Sequence, residues 1–157
     1  MENYIIMNSS LIGAIFIVNN SLAKEFTLGK NERLKSRKQI EELFDKGKTF
    51  VVSPFRIHYL LKKDIEEQIP IPGLQFGIGV SGKNFKRAVD RNRIKRLIRE
   101  AYRLQKNFLK ENLKEKKWSL SVFITYTNKE LPEFKLVNEK VAVVLKKLES
   151  IIDENIS

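Results

Sequence analysis

Between Lys83 and Lys106 the chain reads KNFKRAVDRNRIKRLIREAYRLQK, a run whose periodicity leaves little choice of structure. Wound as a helix at about 100° per residue, it sets Ile94, Leu97, Ile98, Ala101 and Tyr102 on one arc, and Phe108 and Leu109 extend that arc by a turn. Such an arc demands a buried partner surface. Asn92, Lys95, Arg96, Arg99, Arg103 and Lys106 take the other side, with Arg91 and Arg93 flanking its start. Arg91, Lys95, Arg99 and Arg103 follow one another at i,i+4, where like charges cost roughly 0.2–0.5 kcal/mol per pair in an isolated helix. A polyanion laid along the ridge turns that repulsion into binding.

The rest of the composition narrows the polyanion. A net charge of +11 over 157 residues favours phosphate-rich partners, nucleic acid or an anionic membrane, and salt-sensitive association. With no cysteine the chain has no disulfide, thiolate metal site or cysteine nucleophile, and a reducing cytoplasm is the expected setting. The length suits one domain with a sizeable core.

Residues 1–25 are expected to form an arm outside the main domain, or an over-long start with Met7 or a later residue as the true beginning. Their apolar run from Leu11 to Val18 is too short to span a bilayer, and the lead-in has Glu2 but no Lys or Arg, which argues against a secretory signal. Ser36 is placed as the N-cap of a short helix with Ile40, Leu43 and Phe44 as its apolar stripe and Gly47 as its stop. Arg33, Lys35, Arg37 and Lys38 crowd the positive end of that helix, where an anion is favoured. Phe55, Ile57, Tyr59 and Leu61 alternate with Arg56, His58, Leu60 and Lys62 in a half-buried strand. Residues 64–73, with Pro70 and Pro72, read as a polar loop.

A second strand places Leu74, Phe76, Ile78 and Val80 inward, while Gly77 and Gly79 leave its outer face bare. That bareness predicts close approach by a helix, or alternatively by a ligand. After the basic helix, Asn112 to Lys117 reads as a charged turn, followed by a strand with Leu120, Val122, Ile124 and Tyr126 on one face. Phe134, Val137, Val141, Val144, Leu145, Leu148 and Ile152 mark a C-terminal helix, leaving residues 153–157 as a tail. The strands flanking the basic helix are expected to pair in parallel, and the general rule for such crossovers is a right-handed one.

No catalytic constellation stands out. His58 is the sole histidine, and the adjacent pairs Glu41–Glu42 and Glu66–Glu67 point to different faces rather than converging as a general acid and base. The glycines of FGIGVSGK fit neither the Walker spacing nor the dinucleotide fingerprint. Binding is what remains.

The run AVDRNRIKRLIREAY resembles the signature helix of the bacterial ribonuclease P protein subunit, and ERLKSRKQIEELFDKGKTF resembles that family's first helix at the expected distance upstream. The likeness spans residues 26–152. It implies an α+β, single-domain α-β-sandwich of order αβββαβα, with a left-handed βαβ crossover around the basic helix in place of the general right-handed one. It also implies a subunit that partners a catalytic RNA in removing 5′ leaders from precursor tRNA, with Mg2+ belonging to the RNA and no cofactor or catalytic residue on the protein. By position, Lys83, Lys86, Arg91, Asn92, Arg93, Lys95, Arg96, Arg99 and Arg103 inherit contact with the RNA subunit. Arg37, Ile40, Phe44, Arg56 and His58 inherit a cleft for the single-stranded leader, where aromatic rings and cationic walls are the general solution. Three positions depart from the common pattern: Ile40 replaces an aromatic, His58 a tyrosine and Gly82 a lysine. The alternatives are a ribosomal or chromosomal accessory protein using the same ridge, and a nuclease acting without RNA.

Overall fold

A computed structural model describes residues 28–63 and 73–156. The expected N-terminal arm and nearly all of the loop at 64–73 lie outside the described residues. After a 3-10 turn at Lys30–Glu32 come α1 (Arg37–Lys46), β1 (Lys48–Val52), β2 (Phe55–Lys62), β3 (Leu74–Val80), α2 (Ala88–Gln105), α3 (Asn107–Lys116), β4 (Ser119–Tyr126) and α4 (Phe134–Glu154). The four strands form one sheet in the order β1-β2-β4-β3. β1 with β2 and β2 with β4 run antiparallel, whereas β3 and β4 pair in parallel as their intervening helix requires.

Alternation along the strands creates two unlike faces. Phe55, Ile57 and Tyr59 of β2, Leu74 and Phe76 of β3, and Leu120, Val122, Ile124 and Tyr126 of β4 point into one core. That core is closed by Ile94, Ile98, Ala101 and Tyr102 of α2, Leu109 and Leu113 of α3, and six apolar residues of α4 from Val137 to Ile152. Each such side chain taken out of water contributes roughly 1.5–3 kcal/mol. α1 lies on the opposite face, where it buries Leu43.

Four expectations change. Asn112 to Lys116 belong to a helix, α3, so the order becomes αβββααβα; only Lys117, left-handed at φ 55°, makes the turn. The basic helix is broken at Lys106, which caps both α2 and α3, so Leu109 is buried while Phe108 stays 39% exposed. The body approaching Gly77 and Gly79 is the Phe123 ring of the adjacent strand rather than a helix: a Cβ on either glycine would sit 2.6 or 2.8 Å from it. Finally, α4 runs through Asp153 and Glu154, into the stretch expected as a tail. Gly47 does end α1, though through crowding rather than backbone freedom. Its φ is an ordinary −73°, and a Cβ there would lie 2.2 Å from the Leu43 carbonyl.

Lys106 explains the helix break. Continued straight, α2 would have carried this lysine onto the cationic side; instead it is 1% exposed, with its Nζ 2.5 Å from Glu32 Oε2. The Gly29 N–H donates to the same carboxylate oxygen at 2.9 Å, and Lys110 Nζ lies 2.6 Å from Oε1. Burial works to raise the Glu32 pKa, but these three donors hold it below the ordinary value of 4.5. The segment before α1 is thereby tied to the α2–α3 junction, and Leu34 N–H adds a 2.9 Å bond to the Phe76 carbonyl at the sheet edge.

Candidate nucleic-acid interface

The α2 face and the loop before it form the first surface. Asn92, Arg93, Arg96 and Arg99 are exposed and Lys95 is half-buried, while Lys83 and Lys86 project from the loop. Among the described residues none of the cations Lys83, Lys86, Arg93, Lys95, Arg96 and Arg99 has a carboxylate within ion-pair distance. The remaining two arginines of the predicted set are engaged inside the protein. Arg103 grips Glu100 at 2.6 Å, and Arg91 Nη1 donates to the carbonyls of Phe85 and Lys86 at 2.8 and 2.7 Å. Lys106, which periodicity assigned to the same ridge, is withdrawn into the interior as described above.

Why the ridge stands out follows from its backing. Ile94, Ile98, Ala101 and Tyr102 are each 0% exposed, so the helix cannot rotate its cations away without uncovering the core. Gln105 Nε2 further pins α2 to α4 through Asn138 Oδ1 at 2.7 Å. Arginine's planar fork matches phosphate oxygens, and Asn92 offers a donor and an acceptor to a base edge or 2′-hydroxyl.

The second surface lies between α1 and the outer face of the sheet. Cross-strand register puts His58, Phe123 and Gly77 in one row and Arg56, Thr125 and Gly79 in the next. The Phe44 ring, 46% exposed, sits 4.4 Å from His58 and 5.3 Å from Phe123, centroid to centroid. His58 Nδ1 and Thr49 Oγ1 share a hydrogen bond of 3.0 Å that fixes the imidazole plane. Burial, aided by the charge of Arg56, holds His58 below its ordinary pKa of 6.5.

Of the predicted cleft residues, Phe44 and His58 meet directly, and Arg56 is exposed one row along the same face. Ile40 is half-buried a turn before Phe44, and Arg37 stands at the entrance of α1, bonded to Glu41 at 2.9 Å. Phe123 was not foreseen. In β4 the alternation draws attention to the core-facing residues, yet an outward aromatic beside two outward glycines is the readable signal of a flat floor.

Among the described residues no group of three or more His, Asp or Glu converges to hold a metal ion, and no helix is long and apolar enough to cross a membrane.

A four-stranded α+β domain with an exposed cationic helix face and a separate aromatic groove defines a class, that of basic domains built to hold nucleic acid. A family model described as Ribonuclease P matches residues 28–149. The ribonuclease P protein component of Porphyromonas gingivalis is 41% identical over 112 residues, covering 71% of this chain and 79% of that protein. That of Chlorobium phaeobacteroides is 32% identical over 124 residues, covering 74% and 84%. Among solved structures, the RNase P protein from Thermotoga maritima is similar with a TM-score of 0.57 at 25% identity, covering 74% of this chain and 96% of that one. The Staphylococcus aureus RNase P protein shares the fold with a TM-score of 0.56 at 21% identity, over 74% and 94%. The chain belongs to the ribonuclease P protein family. It is the protein subunit of a tRNA-processing ribonucleoprotein, partnered with the ribonuclease P RNA.

Proposed function

We propose that the two surfaces divide the work of leader removal. The α2 face and its loop, through Lys83, Lys86, Asn92, Arg93, Lys95, Arg96 and Arg99, hold the RNA subunit. The groove between α1 and the sheet, with Phe44, His58 and Phe123 as its ring-lined floor and Arg37, Ile40 and Arg56 at its margins, holds the 5′ leader of precursor tRNA. Two observations together carry this reading: the exposed α2 cations have no acidic partners among the described residues, and the groove on the other face of the sheet keeps its rings accessible. Phosphate contacts position a strand, and stacking of an unpaired base on an aromatic ring contributes about 1–3 kcal/mol without reading sequence.

Hydrolysis, on this reading, belongs to Mg2+ held by the RNA, and the protein's own residues bind and orient. The lack of convergent carboxylate or histidine groups in the sequence supports that division. A leader-removal assay with the RNA subunit present and absent tests it: cleavage is expected only with RNA, and cleavage by the protein alone would overturn it.

A further inference from the structure

The loop between β3 and α2, residues 81–87, is built with unusual economy. Phe85 N–H donates to the Ser81 carbonyl at 3.0 Å and Lys83 N–H to Ser81 Oγ at 3.2 Å. Asn84 Nδ2 reaches the Thr127 carbonyl at 3.2 Å, and the Phe85 ring, 6% exposed, packs near Tyr126. What closes the loop onto the helix is Arg91, whose Nη1 donates to two successive carbonyls, Phe85 at 2.8 Å and Lys86 at 2.7 Å.

A guanidinium in the first turn of a helix sits at the positive end of the dipole, an unfavourable place for a cation. Two carbonyl oxygens offset that cost, and both belong to the loop that carries the exposed Lys83 and Lys86. With both protons of one nitrogen committed, Arg91 differs from Arg96 and Arg99, whose side chains have no acidic partner among the described residues. We infer that Arg91 is a positioning residue: it acts on the RNA subunit through Lys83 and Lys86, by holding the loop that presents them. The inference rests on the RNA-facing role proposed for that loop.

The test is a mutant cycle on the full chain reconstituted with the ribonuclease P RNA, read as the slope of log affinity against log salt. Lys83→Ala/Lys86→Ala should reduce the slope by about 1.5 units, given roughly 0.7–0.9 per phosphate contact. Arg91→Ala alone should reduce it comparably, and adding Arg91→Ala to the lysine double variant should change nothing further. In the free protein, Arg91→Ala should speed hydrogen exchange of the Phe85 amide about tenfold, as expected when a restraint of hydrogen-bond strength is lost, with core amides unchanged. If Arg91→Ala fails to fold, Arg91→Gln, which retains much of the stem, replaces it in the cycle. A further fall of about one unit in the triple variant would make Arg91 a direct phosphate contact and overturn the inference while leaving the interface intact. An unchanged Phe85 amide would overturn it as well. A wild-type slope in the lysine double variant would instead remove the loop from the RNA interface, and the inference with it.

Discussion

The α2 ridge and the α1 groove are both cationic regions of one small domain, yet they manage charge in opposite ways. On the ridge, Arg93, Lys95, Arg96 and Arg99 stand without acidic partners among the described residues. Around the groove most cations are internally matched: Arg37 with Glu41 at 2.9 Å, and Lys62 and Lys46 with Glu42 at 3.1 and 3.8 Å. Arg56 alone of the groove's margin stands without an acidic partner among the described residues. What the groove leaves open is ring surface, centred on Phe44. The difference teaches that the ridge is suited to phosphate, with steep salt dependence, and the groove to bases, with little.

The strongest challenge to this separation is the link between the two regions. Lys106→Met removes the buried partner of Glu32, which ties the segment before α1 to the end of α2. Stranding a buried charge costs about 3–5 kcal/mol, and because Lys110 and the Gly29 N–H stay on the carboxylate the loss here should fall below that range. A lowered urea midpoint is expected, with binding at both surfaces reduced together; loss at one surface alone would show that the link serves only that side. Next in size, Arg96→Ala/Arg99→Ala should lower the salt slope for the RNA subunit by about 1.5 units, following the same per-contact scale, and should spare recognition of the leader once the complex is assembled. An unchanged slope would remove these arginines from the interface.

A smaller effect separates the regions by pH. His58 is held below its ordinary value of 6.5 by burial and then by Arg56, so the folded state binds this proton less readily than the unfolded chain. Its contribution to stability is therefore complete above pH 6.5 and declines as pH falls below it, down to the folded pKa. His58→Tyr should flatten the fall in thermal midpoint over that window, whereas Arg99→Ala should not. The smallest effect concerns Gly82, where an added Cβ meets nothing within 4 Å and the backbone is not in the left-handed region. Gly82→Lys should fold normally and steepen the salt slope by less than about one unit.

Much of this was legible along the chain, because periodicity reports burial. The strand faces of β2 and β4, the stripe of α4 and the outward cations of α2 all follow from spacing alone, as does the parallel pairing of β3 with β4. Lys106 was not legible. Neither proline nor glycine marks the break there, and the reason for its burial is a carboxylate 74 positions upstream. Phe123 escaped for a different reason, since its role depends on register with Gly77 and His58 across two neighbouring strands. Arg91 sat in plain view within the basic signature, but only the fold shows its charge turned towards the protein's own carbonyls.

The division of labour is tested most directly by Phe44→Ala in the assembled ribonucleoprotein, titrated with precursor tRNA and with mature tRNA in parallel. Loss of a stacking ring should weaken precursor binding by about tenfold, within the 1–3 kcal/mol range for one base, and leave mature tRNA binding and the affinity for the RNA subunit unchanged. Equal losses for precursor and mature tRNA would contradict a leader site in the groove.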